Sequence, residues 1–203
     1  MGYNIRMLCH SEIDEVYDEF GEELGAEVLS NGICSWVSAK GVDEYHVAFI
    51  GSDGVLNMYG EYAEDAFPIC LAFDIVPEEI LEENITVSRR ISSDGENIDC
   101  EKISVESSKL KVGDFFRMNI IGSFFTYYTI VGKKDNCVSL FSREPIEDVN
   151  GRVLGVQYDC SGKFLDYRLA SCWQDERVQK GISRLESALD DIKERKVYAK
   201  RLV

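Results

Sequence analysis

A chain of 203 residues that is 45% hydrophobic and 11% aromatic has the length and composition to bury a core, which excludes wholesale disorder. Its formal charge of −15 is unevenly spread: residues 1–110 hold 24 Asp/Glu against 6 Lys/Arg, whereas residues 111–203 hold 13 against 16. The first half is therefore expected to repel DNA, RNA and anionic lipid and to be drawn to basic protein surfaces.

Residues 11–24 begin with Ser11 as the expected N-cap, and Ile13, Val16, Tyr17, Phe20 and Leu24 then recur on one helical face up to Gly25. The outer face of that helix carries Asp14, Glu15, Asp18, Glu19, Glu22 and Glu23. Short strands are expected at 33–38, 46–51 and 54–59, the last two joined through Ser52-Asp53-Gly54, where Asp53 caps its own backbone and Gly54 takes a positive φ. A further β-type run, Phe67 to Ile75, is expected to close this unit. Residues 77–110 carry a second set of carboxylates, Glu78, Glu79, Glu82 and Glu83, and read as a short helix, a weak strand or two and a connector.

From Lys111 the pattern turns strongly β, with three strands over 111–145 and turns at Gly122 and at Lys133–Asn136. In the tail, Val178, Ile182, Leu185, Leu189 and Ile192 recur at spacings of 4, 3, 4 and 3, the seam of an amphipathic helix. Such a seam packs on its own domain or pairs with a second copy. The fold class expected is α+β. It comprises an N-terminal helix with a lectin-like antiparallel sheet over 1–76, an acidic connector over 77–110, and a β-meander or barrel-like unit with a C-terminal helix over 111–203.

No catalytic constellation emerges. The histidines are His10 and His46, and neither the H-x-x-x-H spacing of a helical metal site nor a Walker or dinucleotide glycine pattern occurs, so no metal or cofactor is expected. The seven cysteines (Cys9, Cys34, Cys70, Cys100, Cys137, Cys160 and Cys172) include no C-x-x-C pair. With no signal-peptide pattern, they predict free thiols in a cytoplasmic protein. No apolar run approaches the roughly 18 residues of a membrane span. Phe115, Phe116, Phe124, Phe125, Tyr127 and Tyr128, close to Arg117, Lys133 and Lys134, have the composition of a base-stacking platform. They are expected instead in the core, and direct nucleic-acid binding is not expected.

Residues 6–75 resemble the C-terminal half of a bacterial and phage domain of unknown function related to the C-type-lectin-like and sulfatase-modifying-factor folds. The resemblance is carried by Met7-Leu8-Cys9-His10-Ser11-Glu12 at a helix start, Trp36-Val37-Ser38-Ala39-Lys40 on a strand, the hairpin Val47 to Gly60, and Phe67-Pro68-Ile69-Cys70-Leu71. Phe67 stands where that family carries arginine, and Cys9 where it carries serine. The resemblance implies a display scaffold rather than a catalyst, framed by Trp36, Asp53, Gly54, Gly60 and Pro68.

The leading expectation is a non-catalytic, phage- or mobile-element-type protein whose acidic surface binds a basic protein partner, including a nucleic-acid-binding site that it blocks. The alternatives are a lectin-like module for a glycan or other small ligand, and an enzyme using Cys9 or Cys34 as nucleophile.

Overall fold

Residues 70–75, Cys-Leu-Ala-Phe-Asp-Ile, are apolar at almost every position, and a strand of that kind has to be covered on both faces. The computed structural model describes residues 3–80, 85–93, 98–118 and 126–201, with the backbone alone for 90–93, 98–99 and 195–201. In it, this segment forms β6 (Cys70–Ile75), second from one edge of a seven-stranded sheet. Its neighbours are β1 (Arg6–Met7) and β11 (Cys137–Pro145). Beyond β11 come β10 (Tyr127–Lys134), β9 (Phe115–Met118), β7 (Ile85–Ser93) and β8 (Ile98–Ile103), every pairing antiparallel.

The strands of 111–145 form the expected meander, and 77–110 contributes β7 and β8 to the same sheet. The sheet is open, with β1 and β8 at its edges, so the barrel-like closure expected of 111–203 does not form. Nor does β6 close the N-terminal hairpin unit; it pairs with β11, sixty-odd residues on (roughly, from the register Leu140 with Phe73), because only the interior of the large sheet buries both its faces. The turn expected at Gly122 lies outside the described residues.

One helix covers each face. On one, α1 (His10–Leu29) places Ile13, Val16 and Leu29 against Ala72 of β6, Val131 of β10 and Phe141 of β11. On the other, α3 (Glu176–Arg201), preceded by the single turn α2 (Ser171–Gln174), lays its seam among Phe73, Ile130 and Leu140. Val178, Ile182, Leu185, Leu189 and Ile192 are all buried there. The seam that would pair with a second copy is thus already occupied by the chain's own core.

The N-cap of α1 is Cys9 rather than Ser11. Glu12 reaches back to the Cys9 amide at 3.0 Å, which is the return half of a capping box, and Arg6 holds Glu12 in place as an ion pair. Gly25 does not end the helix. Instead Gly21 breaks it internally, at φ 77° and ψ 166°, and the chain restarts in a new phase that buries Gly25, Ala26 and Leu29. That phase change turns Leu24, expected on the inner face, out to 51% exposure.

A three-stranded sheet of β2 (Ser35–Lys40), β3 (His46–Ile50) and β4 (Leu56–Tyr62) packs beside the large one. The Asp53 carboxylate accepts from the Val55 amide at 3.1 Å, as the sequence suggests. Gly54 has φ +84°, and a Cβ there would sit 1.8 Å from the Ala26 carbonyl oxygen. The hairpin tip therefore docks on the second half of α1. Gly60 gives similar room to Val47, whose carbonyl oxygen would lie 2.6 Å from an added Cβ.

Trp36 is the peg joining the three-stranded sheet to the segments around Phe67 and Val156. Its indole N–H donates to the Val156 carbonyl at 2.9 Å and its own amide to the Pro68 carbonyl at 3.0 Å. Its ring meets Phe67 and Tyr158 edge-on, with centroids 4.7 and 5.8 Å away. Phe67 belongs to β5 (Ala66–Phe67), paired with β12 (Val156–Gln157) in a small two-stranded sheet.

Gly54→Ala is expected to destabilise the chain by more than the ~1–2 kcal/mol of the left-handed conformation alone. Gly32→Ala, at φ +77° with nothing within 4 Å of the added carbon, supplies the comparison. Urea midpoints that fall equally for both variants would contradict the docking of the hairpin tip. Leu185→Ala should cost about 2–5 kcal/mol. That loss should be the same at all protein concentrations, because the seam is filled within one chain; a midpoint that rises with concentration would contradict this.

Candidate functional site

The outward face of α1 carries only acidic charges, with no Lys or Arg anywhere in the helix. Ile13, Val16 and their neighbours point to the sheet, so the helical period sends Asp14, Glu15, Asp18 and Glu19 outward, and Glu22, Glu23 and Glu27 continue the exposed run past the Gly21 break. Asp14 lies 3.4 Å from His10. No cation pairs with Glu15, Asp18, Glu19, Glu22 or Glu23 among the described residues. Like charges four residues apart, as at Asp14 with Asp18 and Glu15 with Glu19, each destabilise a helix by roughly 0.2–0.5 kcal/mol. The last turn carries no basic residue to favour the helix dipole. A cation arrives from elsewhere: Arg143 of β11 donates to the carbonyl of Ser30, the C-cap of α1.

The second acidic burst does not join this face. Glu79 pairs with Lys193 of α3 at 2.6 Å, on the opposite side of the sheet, and Glu78 accepts from the Ser107 amide at 2.8 Å. Both carboxylates hold parts of the fold together. Glu82 and Glu83 lie outside the described residues.

The thiols and imidazoles are dispersed. His10 faces Asp14, and His46 Nδ1 is 2.7 Å from Asp43, while the Asp43 hydrogen bonds to His46 and to the Tyr45 amide hold its carboxyl below the usual range. The Cys9 sulfur contacts Ser11 and Glu12, and burial together with the nearby Glu12 carboxylate raises its pKa, opposite to what a thiolate nucleophile needs. Cys34 is half-buried against the main core. All seven cysteines are free, and no cluster of three or more His, Cys, Asp or Glu able to hold a metal occurs among the described residues. No helix among them is long and apolar enough to cross a membrane.

Two buried carboxylates are absent from the sequence-derived candidates, and both are already engaged. Asp114 pairs with Arg89 at 2.7 Å and accepts from the Lys111 amide at 2.8 Å. Asp159 accepts from the amides of Ser161 and Ser171, both at 2.8 Å, and from the Ser161 hydroxyl. Burial alone would raise the Asp159 pKa, but these donors outweigh it and hold the carboxyl below the ordinary value.

The aromatic strands divide by the alternation of β9 and β10. Phe116 and Tyr128 point into the core, as expected, whereas Phe115 is half-buried and Tyr127 is 49% exposed on the opposite face. Arg117 and Arg143 sit above Tyr127 and Phe115 respectively. Lys133 and Lys134 lie at the other end of β10, where Lys133 donates to the Leu110 carbonyl at 3.0 Å. Phe124 and Phe125 are outside the described residues.

No protein-family model, curated protein or solved structure matches this chain.

Because the Asp159 pKa is depressed on folding, its contribution to stability is present above the unfolded value near ~3.9 and is lost as pH falls through the lower folded value. Asp159→Asn should therefore unfold at lower urea than the parent at neutral pH, with the gap narrowing below about pH 4. A gap constant between neutral and strongly acid pH would contradict that role.

Proposed function

We propose that this chain is a non-catalytic interaction protein that presents the acidic face of α1 to a basic surface on a protein partner. The observation that carries the reading is the run Glu15, Asp18, Glu19, Glu22 and Glu23, exposed on one helix and paired with no cation among the described residues. Mutual repulsion along that run weakens the helix, and an external basic surface would relieve it. The complement is a protein whose Lys and Arg are arranged for phosphates, so that carboxylates on α1 block a nucleic-acid-binding site. A phage- or mobile-element-type origin and a lectin-like framework belong to the same reading. They rest on the resemblance carried by the order of helix start, Trp36 strand, hairpin and Pro68 segment in the sequence.

A second reading, a lectin-like module for a glycan, is favoured by Tyr45, Tyr59 and Tyr62. These residues are 45%, 77% and 53% exposed around the β3–β4 hairpin; Tyr45 lies under Lys163 and Tyr62 packs on His46, which leaves the Tyr59 ring to stack on a sugar.

The test compares the parent with a variant in which Glu15, Glu19, Glu22 and Glu23 become Gln and Asp18 becomes Asn. Host-lysate proteins retained at about 50 mM salt should be basic, should be released at about 300 mM, and should be missing with the variant. The same retained set with both proteins, indifferent to salt, would overturn the acidic-face reading. Glycan-array binding that survives in the variant and fails in Tyr59→Ala would favour the second.

A further inference from the structure

Among the described residues, the arm of the large sheet made by β9, β7 and β8 is packed on one face only. The buried cluster beneath α1 takes no residue from these strands. On the other face the registers align Tyr127, Arg117 and Thr86 in one row across three strands, and Phe115 with Ser88 in the next, where the row ends on the buried Thr129. Over Tyr127, Arg117, Thr86, Phe115 and Ser88 lies a hollow of about 610 Å³, walled on the far side by Arg143 and Glu144 of β11. Small-molecule sites commonly enclose ~300–1,000 Å³.

The hollow is basic within a chain of net charge −15. The Arg117 guanidinium stands 5.5 Å above the centre of the Tyr127 ring, and that of Arg143 stands 5.2 Å above Phe115. Each cation is thereby held at an aromatic face, which lowers the ordering cost of using it again. Arg143 is fixed further by its bond to the Ser30 carbonyl, and the Glu144 carboxylate is engaged by the Thr126 amide. Arg117 makes no hydrogen bond or ion pair among the described residues, and its planar fork of donors lines the hollow.

We propose that this hollow binds a planar aromatic anion of the size of a nucleoside monophosphate. The phosphate would take the Arg117 fork in bidentate fashion. The base would stack on the exposed Tyr127 ring or on a guanidinium plane, with the hydroxyls of Thr86 and Ser88 at its edge. A purely apolar ligand would desolvate the Arg117 guanidinium without compensation. A long strand of nucleic acid would extend beyond the hollow onto an acidic chain and be repelled. One nucleotide unit satisfies both constraints. The inference is independent of the α1 face.

The test is calorimetric titration of the full chain with adenosine 5′-monophosphate, adenosine, inorganic phosphate and a ten-nucleotide single strand. The monophosphate should bind saturably with a Kd below about 1 mM, and adenosine and phosphate each at least ~10-fold more weakly. Arg117→Gln and Tyr127→Leu should each weaken monophosphate binding by ~10-fold with an unchanged thermal melt, and Tyr127→Phe should retain it. The proposal is overturned by the absence of saturable monophosphate binding, by equal affinity in Arg117→Gln, or by tighter binding of the single strand than of the monophosphate.

Discussion

A strand that is apolar on both faces has to be covered twice, and most of this structure follows from meeting that requirement for β6. Ala72 turns to one side and Phe73 to the other, so neither face tolerates water. Pairing with β1 and β11 satisfies the backbone, α1 closes one face, and α3 closes the other. The residues that accomplish this come from both ends of the chain. Arg6, between Glu12 and Asp74, ties β1, the start of α1 and β6 together at one point.

Covering the centre of the sheet determines what remains outside. With its inner face committed to Val131 and Phe141, α1 has to present its carboxylates to solvent. The helix lies over β10 and β11, and among the described residues it does not extend over the β9–β7–β8 arm, where aromatic and guanidinium groups collect. A strongly acidic ridge and a small basic hollow thus coexist on one sheet. Arg143 links them, because it reaches the C-cap of α1 on one side and the Phe115 ring on the other.

What could be read from the sequence was local. The Ser52-Asp53-Gly54 turn needs only its own three residues, and the seam from Val178 to Ile192 needs only its period, so both appear as expected. The cap of α1 was misplaced by two residues because a cysteine is not a usual N-cap; Glu12 three positions later was the available signal. The break at Gly21 was hidden because the apolar spacing runs through it. Long-range pairing was not legible at all: nothing near Phe73 names Leu140 as its partner, and nothing near Trp36 names Val156. In the aromatic strands, Phe115 and Phe116 are identical in type, and only the register with β10 decides which one lines a surface.

The most direct test of the shared core is urea unfolding followed through the chain's two tryptophans, Trp36 near its start and Trp173 near its end, together with far-UV circular dichroism. Trp173→Phe isolates the Trp36 signal. If one two-faced sheet holds the chain together, the Trp36, Trp173 and circular-dichroism transitions coincide at one midpoint. A Trp36 transition well separated from that of the C-terminal residues would contradict the account.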